Sequence, residues 1–270
     1  MKLTNRKGAR RKQDIPDEVL VLLNRGELET VNTMERLAVD HVALVGHTFP
    51  EMGFTQNAVN GLIEHIRAQK NPSTMNTVKL MGACLYQLYA DKTDFEAVLN
   101  RLRTHPSDTI RSYAAMLIAS HQKMSLEEKL DTALPLVADK HFGVREVIWI
   151  ALRPDVARNL EASFNLLSTW TASDDENIRR FASEVSRPRG VWCKHIPELK
   201  EQPELGLPVL EPLKADPSRY VQLSVGNWLN DASKTRPDFV TSLCKDWKQK
   251  SNSRATELII NRATRSMHKA

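Results

Sequence analysis

Three arginines recur at intervals of 34 residues, Arg111, Arg145 and Arg179, and each follows a short polar turn and an aliphatic residue (Asp108-Thr-Ile-Arg, Phe142-Gly-Val-Arg, Glu176-Asn-Ile-Arg). A looser copy follows in Asp216-Pro-Ser-Arg-Tyr-Val-Gln222, with glutamine in place of the repeated arginine, and a weaker one lies around Ile260. A period of this length points to a HEAT-like array of helix pairs, because one pair cannot bury its apolar face without neighbours. Five stacked pairs are expected to form a curved α-α superhelix with one concave face.

The local pattern agrees. Apolar residues return at three and four positions through most of the chain, and only 10 of 270 residues are glycine, which together predict an all-α fold without a sheet. Helices are expected over 16–25, 33–48, 55–70, 74–91, 93–104, 108–122, 126–138, 142–153, 156–170, 176–186, 206–214, 218–232, 237–248 and 254–268. The stretch from Arg187 to Leu207 breaks the period. It is rich in Pro and Gly, yet it also carries Arg, Trp and Lys, and so long a connection in a repeat array is often functional.

Charge narrows the partner. Residues 1–14 hold six basic side chains (Lys2, Arg6, Lys7, Arg10, Arg11, Lys12) and one acid, Asp14. Taking them from the 38 basic and 33 acidic residues leaves a body with 32 of each, so a nucleic-acid surface there must come from local clustering. The expected organisation is a basic, disordered tail over 1–14 and one repeat domain over 15–270. No signal-peptide core or membrane span is written, and Cys84, Cys193 and Cys244 stand apart without metal-ligand or disulfide spacing, which fits a reducing cytoplasm. Neither GxSxG, HExxH, a P-loop nor GxGxxG occurs.

Three segments carry side chains of chemical interest. In Val144–Arg153, helical spacing puts Val144, Val147, Ile148 and Ala151 on one face and Glu146, Trp149, Ile150 and Arg153 near the other. In Asn177–Trp192, Ile178, Phe181, Ala182 and Val185 form the apolar stripe, with Arg180, Glu184 and Arg187 opposite. Pro188 must end that helix. In Tyr220–Lys234, an apolar helix ends on Asn227, Asn230 and Asp231. Two readings stay open for each: a solvated charged face with packed tryptophans, or a rim binding phosphates around an exposed aromatic. All five tryptophans (Trp149, Trp170, Trp192, Trp228, Trp247) fall in the second half, among the densest Arg and Lys, as stacking on nucleic acid requires.

These segments, VREVIWIALRP at 144–154, NIRRFASEVSRPRGVW at 177–192, PSRYVQLSVGNWLNDASK at 217–234 and TELIINRATRS at 256–266, resemble the AlkC-type alkylpurine DNA glycosylases of the HEAT-like repeat DNA alkylation repair family. Some members carry an immunoglobulin-like domain after the helices, which this chain is expected to lack. The resemblance implies that Glu146, Glu184 and Asp231 are catalytic and that Trp192 and Trp149 contact the lesion. It implies a DNA-backbone surface of Arg145, Arg179, Arg180, Arg187, Arg189, Lys194, Lys234, Arg262 and Arg265. It also implies hydrolytic release of N3- or N7-alkylated bases from duplex DNA by a monomer without metal or organic cofactor. A non-catalytic binder of damaged or branched DNA and a protein-interaction scaffold are the alternatives.

Overall fold

The computed structural model describes residues 6–90 and 92–267. Among them there is no strand. The helices are α1 (Asp17–Asn24), α2 (Thr33–Ala38), α3 (His41–Glu51), α4 (Gln56–Arg67), α5 (Thr74–Tyr89), α6 (Phe95–Arg103), α7 (Asp108–Ser120), α8 (Leu126–Val137), α9 (Phe142–Arg158), α10 (Leu160–Trp170), α11 (Glu176–Glu184), α12 (Pro197–Glu201), α13 (Leu207–Leu210), α14 (Arg219–Ala232), α15 (Pro237–Lys250) and α16 (Arg254–Thr264). The all-α, HEAT-like expectation holds.

Polar caps set many of the boundaries. Asn32, Asp40, Thr55, Ser73, Asn159, Asp175, Ser218 and Ser253 each accept a backbone N–H from the helix they open, and Ser125 with Glu128 completes a reciprocal capping box. Two expected boundaries differ for this reason. The predicted helix 33–48 is two helices, because the Asp40 carboxylate caps Val42 and Ala43 and starts α3 afresh. Conversely α9 runs through Pro154 to Arg158, and the cap of Asn159 on Ala162 separates it from α10.

The chain divides into two compact units, Met1–Met124 with Lys140–Ile148, and Ser125–Asp139 with Trp149–Ala270. In the first, α7 is the central helix, buried from Asp108 to Ile118 and packed by α5 and α6. Gly82 permits the α5 contact, since a Cβ there would overlap Met116. Asp108, at the start of α7, accepts from the Thr30 N–H and hydroxyl, both at 2.9 Å. The basic N-terminal segment departs from expectation over its described part: Arg6 donates to the Glu29 carbonyl at 2.7 Å and pairs with Glu35, and Asn32 donates to the Ala9 carbonyl. A buried carboxylate, Glu35, attracts and orders Arg6. Residues 1–5, including Lys2, lie outside the described residues.

In the second unit α14 packs against both α11 and α16, and α15 packs on α16. Trp228 and Trp247 are fully buried, and each indole N–H is satisfied, by the Ser186 hydroxyl at 3.2 Å and by Glu211 at 2.7 Å. Truncating such a side chain to alanine costs roughly 3–5 kcal/mol.

The repeated arginine has one structural job at each occurrence. Arg111 donates to the carbonyls of His105 and Pro106, Arg145 to that of Lys140, and Arg179 to those of Ser173 and Asp174. The acceptors lie five and six residues upstream, in the polar turn before the helix. Gln222 makes the same two contacts, to Asp216 at 2.8 Å and Pro217 at 3.4 Å. The 34-residue signal is thus a turn-locking device.

Candidate active site and nucleic-acid interface

The polar face of α11 is not solvent-facing. Arg180, Glu184 and Arg187 are 9%, 4% and 8% exposed, because α14 packs on α11 and turns that face into an interior seam. Each rung of the seam is matched across it. The Arg180 guanidinium lies over the Tyr220 ring at 4.4 Å. The Ser224 hydroxyl donates to Glu184 Oε2 at 2.7 Å and receives a hydrogen bond from Ser183 at 2.8 Å. Arg187 bridges two acids, with Nη1 2.8 Å from Glu184 Oε1 and Nη2 2.9 Å from Asp231 Oδ2. The ladder continues from α14 to α16, where Arg262 donates to Asn227 at 2.8 Å and Arg265 to Asn230 at 3.1 Å.

Burial alone would raise the pKa of Glu184, but Arg180, Arg187 and the Ser224 hydroxyl outweigh it and hold the carboxyl below its ordinary value. Burial likewise opposes the charge of Arg187, and its two carboxylates overcome that and raise its pKa. Glu184 and Arg187 are therefore both charged at neutral pH. Asp231 Oδ1 lies 3.5 Å from Lys234 Nζ, a cation whose side chain is 45% exposed.

From the end of α11 the chain turns outward through Pro188–Ile196. Trp192 is 86% exposed and adopts a left-handed backbone, φ 59°. For a bulky residue that conformation costs about 1–2 kcal/mol, and surrounding contacts must hold it. They come from both flanks: Arg189 Nε donates to the Asp231 carbonyl at 3.3 Å, the Ile196 N–H to the Pro188 carbonyl at 3.0 Å, and Arg153 to the Lys194 carbonyl at 3.1 Å.

Several expected site residues stand elsewhere. Trp149 is 2% exposed and so is not a surface that meets a lesion; α9 is buried on more than its predicted apolar face, with Ile150 and Arg153 at 8% and 3%. Of the five tryptophans, Trp192 is exposed, Trp170 is half-buried, and Trp149, Trp228 and Trp247 are buried. Glu146 belongs to the first unit, half-exposed, where its charge acts on the half-buried Arg36. Arg179 is engaged in a bidentate pair with Asp216 at 2.7 and 3.1 Å, and Arg180 and Arg187 are held in the seam. These three are corrected from phosphate contacts to structural cations, since a buried carboxylate or ring competes for each guanidinium. Exposed or half-exposed basic groups include Arg145, Arg189, Lys194, Lys234, Arg262 and Arg265, joined by Arg219. Burial, then Arg265, Arg219 and Arg187, lowers the pKa of Arg262, marking a cluster of like charge. Sequence reasoning missed Ser183 and Ser224, whose only signal is a small hydroxyl on each facing helix, and the role of Arg153.

Two open clefts, of about 670 and 520 Å³, belong to the first unit. The smaller is lined by Arg6, Lys140, Phe142 and Arg145 among others, and neither holds Glu184, Trp192 or Asp231. Among the described residues no group of three His, Cys, Asp or Glu side chains is placed to hold a metal, and no helix is long and apolar enough to cross a membrane.

Helix pairs locked by a repeated arginine define a HEAT-like repeat fold, and it carries an Arg-bridged pair of acids beside an exposed tryptophan. The comparisons specify it. Residues 154–267 match the family model described as DNA alkylation repair enzyme. The fold is similar to that of Pseudomonas fluorescens alkylpurine DNA glycosylase AlkC bound to DNA containing an abasic site analog, with TM-score 0.65 and 26% identity over 85% of this chain and 63% of that one. It is also similar to AlkD2 from Streptococcus mutans, with TM-score 0.58 and 24% identity over 79% of this chain and 97% of that one. An uncharacterized Bacillus subtilis (strain 168) protein, YhaZ, is 44% identical over 97 residues, 36% of this chain. This chain thus spans less than two thirds of the length of AlkC and 27% of YhaZ.

Proposed function

We propose that the chain is a monofunctional DNA glycosylase that hydrolyses the N-glycosidic bond of N3- or N7-alkylated purines in duplex DNA. One observation carries the reading: two carboxylates, Glu184 and Asp231, share one guanidinium, next to a loop that presents Trp192 to solvent. An alkylated purine is already cationic, so it leaves without a strong general acid. What the protein must supply is negative charge near the developing oxocarbenium sugar and an acceptor for the attacking water's proton. Asp231, whose Oδ1 faces the exposed Lys234, suits the water, and Glu184 supports the charge from within the seam. Glu146 is retained as a third acid from the resemblance. Trp192 offers its π face to the cationic base or sugar. Arg189, Lys194, Lys234, Arg262, Arg265 and Arg219 form the phosphate-binding set, and the resemblance adds Arg145.

The partner implied is duplex DNA bearing an alkylated base, and the protein acts as a monomer in the cytoplasm. Single-turnover incubation with a duplex carrying one N7- or N3-methylpurine should release free base from the parent, and Asp231→Asn should slow release by about 10²–10³-fold. Absence of release from the parent sinks the reading. One observation favours a second reading, a non-catalytic binder of damaged DNA: Glu184 is 4% exposed and committed to Arg187 and Ser224. That reading expects lesion-selective binding with no release.

A further inference from the structure

We propose that Arg153 is the positioning residue of the Trp192 loop, a guanidinium that clamps both ends of the segment so that the exposed indole is presented in one conformation. The inference rests on the proposed function, in which Trp192 meets the lesion.

Arg153 is 3% exposed and every one of its nitrogens donates to a main-chain carbonyl: Nη1 to Val185 at 2.8 Å, Nη2 to Arg187 at 2.6 Å and Nε to Lys194 at 3.1 Å. Val185 and Arg187 lie at the C-terminal end of α11, where carbonyls lose their helical partners and the helix dipole favours a cation. Lys194 lies beyond Trp192. One planar fork therefore joins the point where the loop leaves the helix to the point where it returns. Gly190 sits over this fork: a Cβ there would overlap Cys193 Sγ and stand 3.2 Å from Arg153 Cζ. Buried this deeply, Arg153 is not a phosphate contact. Its side chain acts through the loop, and an indole fixed before binding loses little freedom on meeting its target.

The loop carries its own reporter. Cys193 is half-buried beside Gly190, while Cys84 and Cys244 are buried. Arg153→Ala removes the clamp, and Gly190→Ala pries the same contact from the opposite side with the guanidinium intact, which serves should the first variant fold poorly. Reaction of Cys193 with Ellman's reagent, isolated by subtracting Cys193→Ser, should quicken by about tenfold in either variant as local opening becomes easier. The preference for a methylated over an undamaged duplex should fall toward that of Trp192→Ala, while affinity for the undamaged duplex holds. An unchanged thiol rate in folded variants overturns the clamp. A faster thiol with full preference retained overturns the positioning role. A parent that neither releases base nor prefers methylated DNA sinks the proposed function together with the role of Trp192, and the thiol rates alone then decide whether Arg153 holds the loop.

Discussion

Arg187, three residues beyond α11, reaches across the helix seam to Asp231 on α14, with Nη2 2.9 Å from Oδ2. The same guanidinium holds Glu184, so removing it takes the shortest-range cation from two buried carboxylates and leaves them only Arg180 at 3.7 Å and Lys234 at 3.5 Å. Arg187→Ala should lower stability to chemical denaturant by roughly 3–5 kcal/mol, the cost of breaking a buried pair from one side. Glu184→Gln leaves Arg187 paired with Asp231 and should cost less. Equal losses in the two variants would show that the triad does not share one cation.

The depressed pKa of Glu184 sets a direction in pH. Its stabilising contribution is complete above the ordinary carboxylate value of 4.5 and is lost as pH falls through the lower folded value. Unfolding curves of the parent should therefore show an acid-side decline that is smaller in Glu184→Gln. Identical declines would remove Glu184 from that transition.

His41 works on a different range. Burial, with Arg36 adding to it against Asp40, pushes its pKa from 6.5 down to about 4, and its Nδ1 lies 2.5 Å from the Tyr113 hydroxyl. The unfolded chain takes up the proton first, so stability should fall as pH drops from 6.5 to 4, by about 3 kcal/mol in all, and this term flattens below that. His41→Gln should lose that dependence while keeping the one from Glu184.

Trp192 combines high exposure with a left-handed backbone. Trp192→Gly should raise the melting temperature slightly, since glycine relieves up to about 1 kcal/mol of strain, and should abolish the preference for alkylated DNA. Trp192→Ala should lose the preference without the stability gain. A variant that melts much lower would mean that the indole packs after all.

Basic residues should separate by salt dependence. Arg262→Ala and Arg265→Ala should each reduce the slope of log affinity against log salt by about one while affecting all sequences alike. Arg179→Ala should leave the slope unchanged and lower stability, because Asp216 and two turn carbonyls lose their partner. A reduced slope in Arg179→Ala would return it to the DNA surface.

Most of the helices and the repeat period were legible in the sequence, because they depend on neighbours within one or two turns. The 34-residue arginine spacing fixed the register, and even Gln222 could be recognised as the stand-in it proved to be. Periodicity also named the residues of the seam, Arg180, Glu184, Arg187 and Asp231. It could not say which of them meet water. A helix in a stacked array is covered on more than one side, so a polar face opposite an apolar stripe can be another interior surface, as α11 against α14 shows. The same reason buried Trp149 and Arg153, left Trp192 outside, and turned Arg179 from a surface charge into a partner for Asp216. Which guanidiniums remain for phosphate, and which are consumed by carboxylates far along the chain, is decided only when those helices pack.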